Sequence, residues 1–176
     1  MPHKLSDLDP GAQCPDTVRM IVEIPKNSAN KYEYDVELGV FRLDRTLYSS
    51  VHYPGDYGFI PGTIAEDGDP MDILALADEP SFSGCMVEVH PLGILEMDDN
   101  LAKDRKVLAV PLRNPRYDQM RDMSEIPSHV IREIENFFAI YKQLEGKIVD
   151  VHGWRGREAA CAAIQEARRH YLSRSQ

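Results

Sequence analysis

The sequence predicts a mainly β protein, a β-barrel with two α-helices packed on its outside near the C-terminus. Short alternating apolar runs fill residues 18–110, Gly and Pro punctuate them, and a helical stripe takes over after Pro127. Many short strands divided by turn residues favour a closed barrel or a sandwich.

Taken in order, Val18-Arg19-Met20-Ile21-Val22-Glu23-Ile24 is strand-like and ends at Pro25. Tyr32 to Val36 and Phe41 to Arg45 alternate, with Gly39 between them. Met71 to Leu76, Met86 to Val89, Leu92 to Leu95 and Val107 to Val110 continue the pattern. Val130, Ile134, Phe137, Tyr141 and Leu144 then recur at helical spacing, with Pro127 and Ser128 suited to the start and Gly146 to the end. A second helix is predicted from Glu158 to about Leu172, with Ala160, Ala163, Ile164, Ala167 and Tyr171 on one face.

The 176 residues show no repeat, linker or low-complexity stretch, so 1–176 reads as one domain. No apolar run has the length of a membrane span, and Met1 to Asp7 lacks the basic-then-apolar order of a secretory signal; a cytoplasmic protein is expected. Cys14, Cys85 and Cys161 are odd in number and widely spaced, which indicates neither a disulfide framework nor a zinc site. The six histidines are scattered, without HExxH. A net charge of −9 repels nucleic acid and anionic membranes, so an anionic substrate would need something cationic to mediate.

Asp67-Gly68-Asp69-Pro70-Met71-Asp72 is the most informative segment. Three carboxylates within six residues repel one another unless a cation sits among them, and Gly68 and Pro70 keep the stretch out of a helix. Oxygen donors suit a hard cation, magnesium where phosphates are handled; a solvated acidic turn is the plain alternative. An EF-hand fails because Asp72 stands where its loop requires Gly. An aspartyl-nucleophile phosphatase fits poorly, with Met71 where Thr or Val belongs.

Asp98, Asp99 and Asp104 form a second acidic set, and on a strand Asp104 and Lys106 would share a face. Surface decoration would explain these acids equally well. Lys31 and Glu33 share one strand face, and Arg45 follows Phe41 and Leu43 on what should be the core side, where a guanidinium meets a bound anion or a neighbouring acid. Tyr53 and Tyr57 bracket a Pro-Gly turn that could be purely structural; Tyr141 lies on the apolar stripe, and Lys142 beside it is by default a solvated helix charge. There is no GxxxxGK(S/T), GxGxxG or GxSxG, and Cys161 and Arg168 have six residues between them where a cysteine phosphatase needs five.

In order, Val22-Glu23-Ile24-Pro25, Lys31-Tyr32-Glu33, Leu43-Asp44-Arg45, Tyr53-Pro54-x-x-Tyr57-Gly58, the DGDPMD segment, Asp99-x4-Asp104-x-Lys106, Phe137-Phe138-x-x-Tyr141-Lys142-x-Leu144-Glu145 and Gly153-Trp154 resemble the soluble family I inorganic pyrophosphatases. The resemblance runs from about residue 15 to 155 and carries its specificity in the ordered set. It implies a distorted five-stranded OB-like barrel and hydrolysis of inorganic diphosphate with Mg²⁺, a metal-bound water attacking and an Asp accepting its proton. It also implies the homohexamer of the short prokaryotic form. By matched position, it implies Asp67, Asp72, Asp99 and Asp104 as metal ligands and Asp69 as the proton acceptor. Lys31, Arg45, Tyr57, Lys106, Tyr141 and Lys142 would hold phosphate oxygens, with Glu23, Glu33 and Tyr53 lining the site. A nucleic-acid-binding OB module is the reading from another class, disfavoured by the acidic balance.

Overall fold

A computed structural model describes residues 4–174; Met1, Pro2 and His3, on which part of the N-terminal reading rests, lie outside it, as do Ser175 and Gln176. The β-branched run of residues 18–24 forms β1 (Val18–Ile24), followed by β2 (Asn30–Asp35), β3 (Val40–Thr46), β4 (Asp56–Ile60) and β5 (Met71–Ala75). Two long strands, β6 (Met86–Asp99) and β7 (Ala102–Pro111), precede α1 (Ser128–Ile140), β8 (Val149–Gly156) and α2 (Arg157–Arg174). The strands β1-β4-β5-β7-β6 are hydrogen-bonded in that order and β6 pairs back onto β1, closing a ring; β8 adds to β6, and β2–β3 is a separate ribbon. The ring is uneven, because register shifts interrupt β1 between Val22 and Ile24 and β6 between Pro91 and Gly93. A mainly β architecture with two helices is what the sequence predicts.

Alternation along the strands feeds two apolar clusters. Leu74, Leu76, Leu108 and Val110 pack with Ile134, Phe137, Phe138 and Tyr141 of the α1 region. Ile73, Ala75, Val107 and Ala109 pack with Ala160, Ala163, Ile164 and Ala167 of α2. Each large aliphatic side chain buried this way contributes about 1.5–3 kcal/mol. The parallel pairing of β5 with β7 sets Ile73 beside Val107 and Leu74 beside Leu108. Read back along both strands, the α1-facing row of β5 begins at Asp72, and that of β7 begins at Asp104 and Lys106. The carboxylates and the lysine are thus the polar end of a core-facing row.

Several expectations are corrected. Residues 53–58 are not only a turn, since β4 starts at Asp56. Its Gly58 is there for close approach: a Cβ would stand 1.9 Å from the Ile21 carbonyl oxygen of β1. Residues 86–95 are one strand bent at a bulge, not two. Leu43 is exposed rather than core-facing, because β2–β3 stands apart from the ring. Leu144 leaves the helical stripe, since α1 stops at Ile140 and a short 3-10 turn covers residues 143–145, ended by Gly146 at φ 72°. Among the described residues no helix is long and apolar enough to cross a membrane.

Candidate active site

A cavity of about 360 Å³ opens at that polar end. It is lined by Asp67 and Asp69 from the loop before β5, Asp72 from β5, Asp99 and Asp104 from the β6–β7 hairpin, and Lys106 from β7. Tyr53, Tyr57 and Tyr141 join them, with Glu23 of β1, Lys31 and Glu33 of β2, and Lys142 beyond α1. Residues 119 positions apart in sequence, Glu23 and Lys142, therefore line one cavity.

Lys106 is buried, and its Nζ donates to Asp72 Oδ2 at 2.5 Å and lies 2.9 Å from Asp104 Oδ2. Burial alone would lower its pKa, but Asp72, Tyr57 and Asp104 hold it well above the usual lysine value, so it stays charged. Its ammonium also stands 5.5 Å from the Tyr57 ring centroid and 5.9 Å from that of Phe138. Lys142, far from being solvated, is ion-paired with Asp99, and Lys31 with Glu33. Asp98 faces away and pairs with His152 at 2.8 Å. Burial pushes the phenols of Tyr53, Tyr57 and Tyr141 far up, so all three keep their protons at neutral pH.

Arg45 is the predicted site residue that does not line the cavity. Its strand neighbour is Lys31, but its guanidinium turns to Asp44 at 2.5 Å and to the buried Glu145 carboxylate at 2.8 Å. Ser6 and Tyr34 line the cavity without having been expected there. Alternation along the same short strand puts Tyr34 on the face opposite Lys31 and Glu33, so the pattern did not mark it. Nothing in the local sequence marks Ser6, which arrives through a long-range bond from the Gly62 N–H to its carbonyl oxygen.

The donor set fits a hard divalent cation. All the acids offer oxygen, and their repulsion is visible: burial, then Asp67, Asp72 and Glu33, raises the Asp69 carboxyl above its ordinary value. Burial raises Asp104 too, against the pull of Lys106. Among the described residues no three His, Cys, Asp or Glu side chains stand in ligand geometry, because Asp72 and Asp104 are turned onto Lys106 and Asp99 onto Lys142. The lysines supply the positive charge these carboxylates require.

Glu23 reports the same crowding. Burial first, with Asp72 and Glu33 adding to it, lifts its carboxyl from 4.5 to about 7 against the Tyr34 N–H that it accepts. Between those values the folded chain keeps this proton and the unfolded chain loses it, so stability falls as pH rises through that window. Glu23→Gln is expected to stabilise the metal-free protein by about 2 kcal/mol at about pH 8 and to change little at about pH 4. Urea unfolding at both pH values checks this; an equal effect at both would show that the proton plays no part.

The comparisons with known proteins concern the chain as a whole. The family model described as inorganic pyrophosphatase matches residues 20–172. The chain is 49% identical over 152 residues to the inorganic pyrophosphatase of Methanosarcina mazei, covering 86% of this chain and 90% of that one. It is 46% identical over 164 residues to that of Thermus thermophilus, covering 92% and 94%. A crystal structure of inorganic pyrophosphatase from Thermus thermophilus superposes with a TM-score of 0.94 at 44% identity, covering 97% of this chain and 99% of that one. One from Coxiella burnetii gives 0.89 at 39% identity, covering 93% and 99%. The chain belongs to the inorganic pyrophosphatase family.

Proposed function

We propose that the cavity binds inorganic diphosphate and hydrolyses it to two phosphates with Mg²⁺ as cofactor. The observation that carries this reading is the convergence of five aspartates, three lysines and five tyrosines from distant segments on one cavity, in a chain of net charge −9. Asp67, Asp72, Asp99 and Asp104 would hold the cations. Bound there, they would neutralise phosphate oxygens and acidify water.

The chain's own residues account for the other requirements. Lys106, charged and fixed by two carboxylates, presents a cation to an incoming anion once those carboxylates have a second cation to serve. Lys31 and Lys142 stand ready in the same way on Glu33 and Asp99. Tyr57 and Tyr141, held as phenols, donate hydrogen bonds to phosphate oxygens and favour the charge that moves onto the leaving group. Asp69 takes up the proton of the attacking water at its carboxylate. Arg45 would reach the substrate only by leaving Glu145.

Phosphate release from diphosphate is expected to require Mg²⁺ and to stop with a chelator; turnover that survives complete metal removal would sink the mechanism. A homohexamer in the cytoplasm belongs to the same reading, supported by exposed Leu38, Val40, Leu43 and Tyr48 and by three free cysteines. Light scattering on the same preparation is expected to give about six chains per particle, and a monomer would remove the assembly.

A further inference from the structure

The acidic loop begins with three consecutive residues tied to three different parts of the molecule. The Gly62 N–H donates to the Ser6 carbonyl at 2.8 Å, and the Ile64 N–H to the Ala167 carbonyl of α2 at 2.8 Å. Between them Thr63, only 1% exposed, uses its hydroxyl twice. It donates to the carbonyl of Ile60, the last residue of β4, at 2.5 Å and accepts from the N–H of Met71, the first residue of β5, at 3.0 Å. One hydroxyl therefore closes the neck of the loop from both sides. Above the neck the Ala65 N–H donates to the Asp69 carbonyl at 2.7 Å and the Gly68 N–H to the Ala65 carbonyl at 3.0 Å. Gly68 at φ 94° completes a turn that carries Asp67 and Asp69 on an exposed rim.

The neck lies one residue from Asp72, so the backbone that aims Asp72 into the cavity is the backbone Thr63 holds. An exposed loop of like charges has every electrostatic reason to spread. Asp67 and Asp69 pair with no lysine or arginine among the described residues; Glu66 beside them meets Lys103 at 3.0 Å and Arg105 at 3.6 Å on the outer side, and the buried restraint at the base of the loop is the Thr63 hydroxyl. We infer that Thr63 is a positioning residue: its hydroxyl fixes the base of the acidic loop so that Asp67, Asp69 and Asp72 face one cation-binding cavity. This rests on the proposed reading of the cavity as a divalent-cation site. Thr63 touches neither cavity nor substrate, and acts through the Met71 N–H and the Ile60 carbonyl.

Thr63→Val keeps the shape and removes the hydroxyl, and Thr63→Ser keeps the hydroxyl and removes the methyl. Calorimetric titration with Mg²⁺ alone is expected to show about tenfold weaker binding for Thr63→Val, the scale of losing a group that orients metal ligands, and binding within roughly twofold of the parent for Thr63→Ser. Turnover of the Val variant should recover in part with excess Mg²⁺. A Thr63→Val protein that melts lower but binds Mg²⁺ with the parent's affinity would make the hydroxyl a plain structural clamp and overturn the inference. A Ser variant as weak as the Val variant would overturn it as well. If Thr63→Val does not fold, Thr63→Ala, which likewise removes the hydroxyl, takes its place under the same criteria. A parent that binds no Mg²⁺ overturns the cation site itself and this inference with it, an outcome distinct from a parent that binds and a Val variant that binds equally.

Discussion

Asp69→Asn is expected to fold as the parent does and to lower turnover by about 100-fold or more, the scale of lost general-base assistance. The choice of Asp69 follows from what the other acids are doing. Asp72 and Asp104 are engaged by Lys106, and Asp99 by Lys142. Asp67 Oδ1 accepts the Asp69 N–H at 3.0 Å, which pins Asp67 toward the loop backbone. The Asp69 carboxylate has no hydrogen-bond or ion-pair partner among the described residues, so its lone pairs are free for a proton. Burial and the surrounding acids raise its proton affinity above that of an ordinary aspartate, which makes it the stronger base. Asn keeps the size and leaves the backbone bonds of residue 69 in place, while its amide cannot take a proton at neutral pH. A base acts in the transition state, so kcat and kcat/KM should fall together with KM nearly unchanged. Steady-state phosphate release, paired with the far-UV circular dichroism spectrum, checks this. Turnover within a few-fold of the parent would take the role away from Asp69.

How much of this was legible in the sequence differs by segment, for physical reasons. β1 and the two helices carry strong periodic signals because one side of each is buried in an apolar cluster. β4 was hidden because Pro54, Gly55 and Gly58 read as turn residues, although Gly58 serves a close contact with Ile21 that no local pattern encodes. β8 was hidden because it is an edge strand, half exposed and interrupted by Gly153 at φ 119°. Leu43 and Leu144 misled by being apolar at the right spacing, while the chain around them had left the ring or the helix. In the site, the DGDPMD segment announces itself by charge density alone. That Lys142 meets Asp99, or that Lys106 sits beside Asp72, depends on chain-distant pairing, above all the parallel register of β5 and β7. Local pattern reading assigns such residues to solvent or core; the ordered resemblance to a family was what carried them to one site. Arg45 shows the other case, since its row allowed a bound anion or a neighbouring acid, and it meets the chain's own Asp44 and Glu145.

Lys106→Met should cost the metal-free protein about 3–5 kcal/mol, and Mg²⁺ should return much of it. Met fills nearly the same space between the Tyr57 and Phe138 rings, so the loss is one of charge rather than of packing. Without the ammonium, Asp72 and Asp104 remain partly buried, close together and unpaired, which is the costly way to break a buried ion pair. The exposed Lys103–Glu66 pair, at 3.0 Å with its lysine on the same strand as Lys106, is the control: it stands in water, and its removal should cost less than about 1 kcal/mol. The loss should also depend on pH. A carboxyl whose folded pKa is raised, as that of Asp104 is already, destabilises the fold increasingly as pH rises through that value and ceases to do so once protonated. The gap between variant and parent should therefore narrow in acid and widen toward neutral pH. Divalent cation replaces the missing charge at the same carboxylates, so Mg²⁺ should raise the melting temperature of the variant more than that of the parent, even though turnover stays low without the lysine. Thermal unfolding with chelator and with saturating Mg²⁺ separates the two contributions. An equal deficit in both conditions would mean that Asp72 and Asp104 do not receive the cation, and the arrangement of carboxylates around Lys106 would then serve the fold alone.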